Sequence, residues 1–166
     1  MSAHSLSVIE QLDPHSLDDH YDLDFEFADQ RITVDLNFDH KTIDPKRLEM
    51  VKNFMTQIEA FDKINKDRIK QDYADDTCDT VDIYIQYFIE DNDKGDIGKY
   101  VNLESKELNI KQQLVDKFRL VRVGFYPNNI THFATFDYTI SIELSDDIVV
   151  IFTNQIGDMD YMTLES

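Results

Sequence analysis

Residues 21–39 read YDLDFEFADQRITVDLNFD, and their alternation decides the fold class. Tyr21, Leu23, Phe25 and Phe27 point to one side of an extended chain, and Asp22, Asp24 and Glu26 to the other, as a period of two requires. After a short break Ile32, Val34, Leu36 and Phe38 repeat the pattern. The stretch therefore reads as a β-hairpin with one apolar face. Centred on Asp29-Gln30, it pairs Phe27 with Ile32, Phe25 with Val34 and Leu23 with Leu36. That register sets Asp24 opposite Asp35, and like charges facing each other across a ladder are destabilising. Solvent screening, a neighbouring cation or a basic partner must offset the repulsion.

Helix signals follow. Asp44 is a fitting N-cap and Pro45 suits the first helical position. Leu48, Val51, Met55 and Ile58, joined by Phe54 and Phe61, recur at helical spacing. The pattern weakens near Asn65, ahead of a second piece that carries Ile69 and Tyr73. The run TVDIYIQYFIE (80–90) fits a helix through Val81, Tyr84, Ile85 and Phe88, or a strand through Val81, Ile83, Ile85 and Tyr87. The helix is preferred. Ser105 is placed as the cap of a further short helix that buries Leu108, Leu114, Val115 and Phe118.

The last third reads as β-structure. LVRVGFYP (120–127), THFATFDYTI (131–140), DDIVVIFTN (146–154) and MDYMTLES (159–166) are rich in β-branched and aromatic residues. Turn residues at 127–129, 145–146 and 157–158 separate them. Consecutive strands with short connections form a meander. The predicted fold class is α+β, an antiparallel sheet of N-terminal hairpin plus C-terminal four-strand meander, with helices from the middle of the chain on one face. Residues 1–166 are read as one domain, with 1–20 as a loosely ordered N-terminal segment.

The segment VRVGFYPNNITHFATFDYTISIELSDDIVVIFTNQIGDMDYMTLES resembles the C-terminal part of a bacterial family of uncharacterised domains, catalogued as domain of unknown function two-thousand-and-four. The shared features are a strand ending VGFYP, the FDYTI strand, a D-I-V-V-I-F strand, a Gly-Asp turn and a closing ES. The resemblance spans residues 120–166, and the helical middle only in general layout. It implies a small bacterial cytoplasmic protein and transfers no activity.

Charge is the strongest compositional signal. The net charge is -18, which argues against nucleic acid and anionic membrane surfaces, because both need cationic patches. Residues 1–30 hold eight acids, residues 123–166 hold seven, and neither segment has a Lys or Arg. All 16 basic residues lie between Arg31 and Arg122. Halophilic adaptation would spread acid everywhere, so this pattern points elsewhere. The lone Cys78 excludes an internal disulfide, the N-terminus has no basic, apolar signal pattern, and no run approaches the ~20 apolar residues of a membrane span. A reducing cytoplasm is the expected compartment.

Motifs for chemistry are sparse. DNDKGDIG (91–98) resembles a calcium loop, but neither register supplies enough oxygen ligands, and it reads as a solvated turn. His15, His20 and His40 lie near Asp18, Asp19 and Asp39 without the compact spacing of a metal site. His132 reads as structural. Cys78 in ADDTCDT sits among acids, the opposite of the setting that activates a thiol. No G-x-S-x-G, Walker or dinucleotide loop occurs. Tyr84, Tyr87 and Phe88 read as core. Asp137-Tyr138 belongs to the resemblance, yet a tyrosine hydroxyl bonded at a sheet edge accounts for it as well as a site does.

No catalytic, cofactor-binding or metal-ligating residue is assigned. The candidate surface is the acid ladder of Asp22, Asp24, Glu26 and Asp35, placed to meet a basic partner. The expected function is a small acidic, non-enzymatic interaction module. An immunity protein that neutralises a cationic toxin is one concrete form. The alternative is a metal-dependent or carboxylate-using enzyme or binder. Oligomeric state stays open.

Overall fold

The computed structural model describes residues 9–27 and 30–166. Six strands form one sheet in sequence order: β1 (His20–Phe27), β2 (Gln30–Asn37), β3 (Arg119–Phe125), β4 (Ala134–Thr139), β5 (Ile148–Thr153) and β6 (Met159–Glu165). Between β2 and β3 lie α1 (Pro45–Met55), α2 (Ile58–Ala74), α3 (Thr80–Asp91), α4 (Lys94–Ile97) and α5 (Ile110–Val115). The fold is α+β, and residues 80–91 are a helix.

The sheet is mixed, which corrects the expectation of a purely antiparallel one. The hairpin and the four-strand meander are both present, but β2 runs parallel to β3, pairing Val34 with Val123. A parallel neighbour needs a crossover connection. The helical middle of the chain is that crossover, so β3 enters the sheet in the direction β2 left it.

The hairpin register also differs from the expected one. Phe25 pairs with Ile32, Leu23 with Val34 and Asp22 with Asp35, while Asp24 faces Thr33. Two residues rather than four separate the strands, and the expected turn residue Asp29 lies outside the described residues. An even shift leaves the apolar face intact, so alternation cannot distinguish the two registers. Short two-residue connections are the commoner hairpins. Here the shorter one also brings Arg31 onto the Asp24 carboxylate.

The helices cover one face. Asp44 caps α1 through its carboxylate on the Lys46 amide (2.9 Å), with Pro45 following it. Phe54 of α1 packs on Phe61 at 4.4 Å and on Phe125, Phe133 and Phe136 at 5.5–6.0 Å. Such ring clusters supply much of a core's buried apolar area. The periodicity fades at Asn65 because α2 buries polar groups there, Asp62 and Asn65, beneath Tyr138 of β4. Tyr84 and Phe88 of α3 are buried, and the Tyr84 hydroxyl meets Thr139 Oγ1 (2.8 Å) and the Ile140 amide (3.0 Å). Tyr87 is exposed instead.

Two local readings change. α5 begins at Ile110 with Asn109 in a capping box, whereas Ser105 turns a preceding loop and Leu108 is exposed. A Ser hydroxyl can cap any amide in reach, and Asn109 with Gln112 satisfies two amides at once. Within residues 91–98, Asp93 caps the single turn α4 through the Gly95 and Asp96 amides (2.7 and 3.0 Å), and Asp96 pairs with Lys99. In the N-terminal segment Ile9 and Leu17 are buried, and Leu17 and Ile43 donate amide hydrogen bonds to Lys41 and Pro14.

Candidate functional site

The face of the sheet that is helix-free among the described residues is laid out in cross-strand rows. One row runs Asp22, Asp35, Gly124, Thr135, Phe152, Tyr161 from the β1 edge to the β6 edge. The next runs Asp24, Thr33, Arg122, Asp137, Val150, Thr163. Ladder spacing makes each row roughly 24 Å long. With Glu26, Arg31 and Glu165, the rows hold six carboxylates and two guanidinium groups, a net of four negative charges among the described residues.

The centre is a buried clamp. Arg122 Nε and Nη2 donate to the two Asp35 oxygens at 2.6 and 2.9 Å, and Nη1 donates to Asp137 Oδ2 at 2.8 Å. The guanidinium lies flat because Gly124 has no side chain: a Cβ there would sit 2.8 Å from Thr135 Oγ1 and 2.9 Å from Arg122 Nη2. Burial works against the Arg122 charge, but the hydrogen bonds it donates to Asp35 and Asp137 outweigh it and hold the group protonated above its ordinary range. For Asp137, burial pushes the carboxyl upward, Arg122 pulls it back, and the charges of Asp35 and Glu165 push it up again. Asp137 Oδ1 and Thr135 Oγ1 are buried without a hydrogen-bond partner among the described residues. Asp137 and Tyr138 thus serve opposite faces of a central strand, not a sheet edge.

The clamp continues to the β1 edge. Asn37 Nδ2 donates to Asp35 Oδ2 (2.6 Å), and the His20 ring joins Asn37 Oδ1 (2.8 Å) to Asp22 (3.0 Å). Asn37, then Asp22, raise the His20 pKa above its ordinary 6.5 by accepting from the imidazolium. The charged form is favoured in the fold, so this contact is complete below pH 6.5 and is lost as pH climbs through the raised value. His20 should therefore titrate above 6.5 in an NMR pH series, and Asn37→Ala should lower its midpoint. An unshifted His20 would mean that the network does not form in solution.

Of the four acids assigned from sequence, Asp22, Asp24 and Glu26 are exposed on this face, and Asp24 is paired with Arg31. Asp35 is only 2% exposed and belongs to the clamp, so it does not face a partner. The like-charge repulsion foreseen in the hairpin falls on Asp22 and Asp35, and a neighbouring cation, Arg122, offsets it. The two cation-poor segments share the sheet but not a common edge: residues 20–27 form the β1 edge, and residues 123–166 run from the end of β3 through β4 and β5 to the β6 edge.

Sequence reading missed Arg122, Asn37, Gly124 and Thr135. The available signal was a charge inside each of three apolar runs, V-D-L, V-R-V and F-D-Y, but joining them requires the strand order. At the far edge, Phe152 and Tyr161 stack at 4.4 Å and 15°, with His132 edge-on to both at 5.3 and 5.4 Å. His132 Nε2 lies 2.8 Å from Asp160. Cys78 is exposed in a shallow cleft with Asp72, Asp75 and Met162. Among the described residues no group of three or more His, Cys, Asp and Glu is placed to hold a metal ion, and no helix is long and apolar enough to cross a membrane.

No protein-family model, curated protein or solved structure matches the chain.

Proposed function

We propose that the protein is a non-enzymatic interaction module that binds a basic protein across the helix-free face of its sheet. The observation that carries this reading is the edge strand β1, which exposes Asp22, Asp24 and Glu26 on that face and belongs to a stretch of sequence, residues 1–30, without a Lys or Arg. An anionic face steers a cationic partner and repels nucleic acid and anionic lipid, even with Asp24 paired to Arg31 and Asp22 to His20. An immunity protein against a cationic toxin is one form this takes, in a cytoplasmic bacterial protein related to the family that residues 120–166 resemble. The carboxylate-using alternative has less support. The Asp35 and Asp137 carboxylates, which share Arg122, are buried and already engaged by it.

The exposed acids test the proposal. Host proteins retained by the immobilised protein at low ionic strength should be basic, should elute with salt, and should be lost with Asp22→Lys/Asp24→Lys/Glu26→Lys. For the retained partner, the association rate should fall at least about tenfold in that variant. Retention that ignores both salt and the three substitutions would overturn the reading. Asp35→Lys is unsuitable here, since it would break the clamp rather than probe the surface.

A further inference from the structure

The acids of β1 account for attraction but not for what the other end of the face would grip. Along the row that begins at Asp22, polarity gives way at β5 to a ring stack, Phe152 under Tyr161. The rings are cross-strand partners, and β6 is an edge strand. One face of Tyr161 is therefore spent on Phe152, and the other looks past the sheet edge, where the residue is 41% exposed. His132 buttresses the stack edge-on and is itself held by Asp160. The Asp160 carboxylate stands next to Tyr161, and residues 123–166 contain no Lys or Arg to occupy the ring.

A rigid, half-exposed aromatic face beside a carboxylate attracts cations, and it suits one kind best. A guanidinium is planar and weakly hydrated, so it stacks on a ring while its N–H groups reach flanking acids, whereas an ammonium is a compact, strongly hydrated charge. We propose that Tyr161, backed by Phe152 and with Asp160 beside it, is the seat for an arginine side chain of the basic partner. The inference rests on the interaction reading above and adds arginine selectivity to it.

Dye-labelled nona-arginine and nona-lysine peptides separate the two ideas by fluorescence anisotropy. The protein should bind the arginine peptide about five- to tenfold more tightly. Tyr161→Ala should remove that preference while leaving lysine-peptide binding in place, and Tyr161→Phe should retain it. The β1 triple charge reversal should weaken both peptides alike. Equal affinity for the two peptides, or a preference that survives Tyr161→Ala, overturns the arginine seat and leaves the acidic face standing. Failure to bind either peptide overturns both.

Discussion

Replacing Arg122 with Met should lower the unfolding free energy by about 3 kcal/mol, because it strands two buried carboxylates. The lower part of the range for broken buried pairs applies, since the guanidinium is 36% exposed and its loss admits some water. For a chain of this size that corresponds to a fall in Tm of roughly 6–12 °C. Adding Asp35→Asn and Asp137→Asn to Arg122→Met should recover much of the loss, because neutral amides can be buried at smaller cost. Thermal and urea melts of the four combinations form a double-mutant cycle. A triple variant no more stable than Arg122→Met would show that the carboxylates are not what Arg122 holds.

The second large effect lies on the opposite face. Gly157 turns the chain between β5 and β6 at φ +85°, and an added Cβ would fall 2.1 Å from Phe61 Cε1. Both terms oppose a side chain. The left-handed conformation costs a non-glycine residue about 1–2 kcal/mol, and the ring cannot retreat freely because it stacks on Phe54. Gly157→Ala should therefore cost about 3 kcal/mol in urea unfolding, and Phe61→Leu in the same chain should return part of it. A cost below about 1 kcal/mol would mean that the turn does not press on α2. Asn154 fixes this turn through the Ile156 and Asp158 amides, and Arg68 of α2 reaches the Gly157 carbonyl at 3.4 Å.

Alternation made β1 and β2 legible, and the meander showed itself as β-branched and aromatic runs set off by turn residues. Asp44-Pro45 announced α1 for a similarly local reason, a cap and a fixed φ. What stayed hidden was relational. The parallel β2–β3 pair depends on where a long crossover returns, and no residue of either strand encodes that direction. The hairpin register was ambiguous because shifts by two preserve both faces. The same gap concealed the clamp: Asp35, Arg122 and Asp137 each look like one polar position in an apolar strand, and only adjacency of β2, β3 and β4 makes them a cluster. Asp22, Asp24 and Glu26 could be read because exposure follows from alternation at an edge. Asp35 could not, because its burial comes from a side chain 87 residues away.

The junction between hairpin and meander also sets how the sheet tolerates change. Only four residue pairs join β2 to β3, fewer than in any other ladder of the sheet. Closing it brings together ends separated by 81 residues, against eight between β3 and β4, an added entropic cost of roughly 2 kcal/mol for a flexible chain. Doubling the helical insert would add only about 0.6 kcal/mol more. Flexible residues added to the loops between its helices are thus thermodynamically cheap, whereas the helices themselves are held by the core. The shortest seam is where the molecule is most exposed to splitting in two, and the guanidinium of Arg122 is the bolt laid across it.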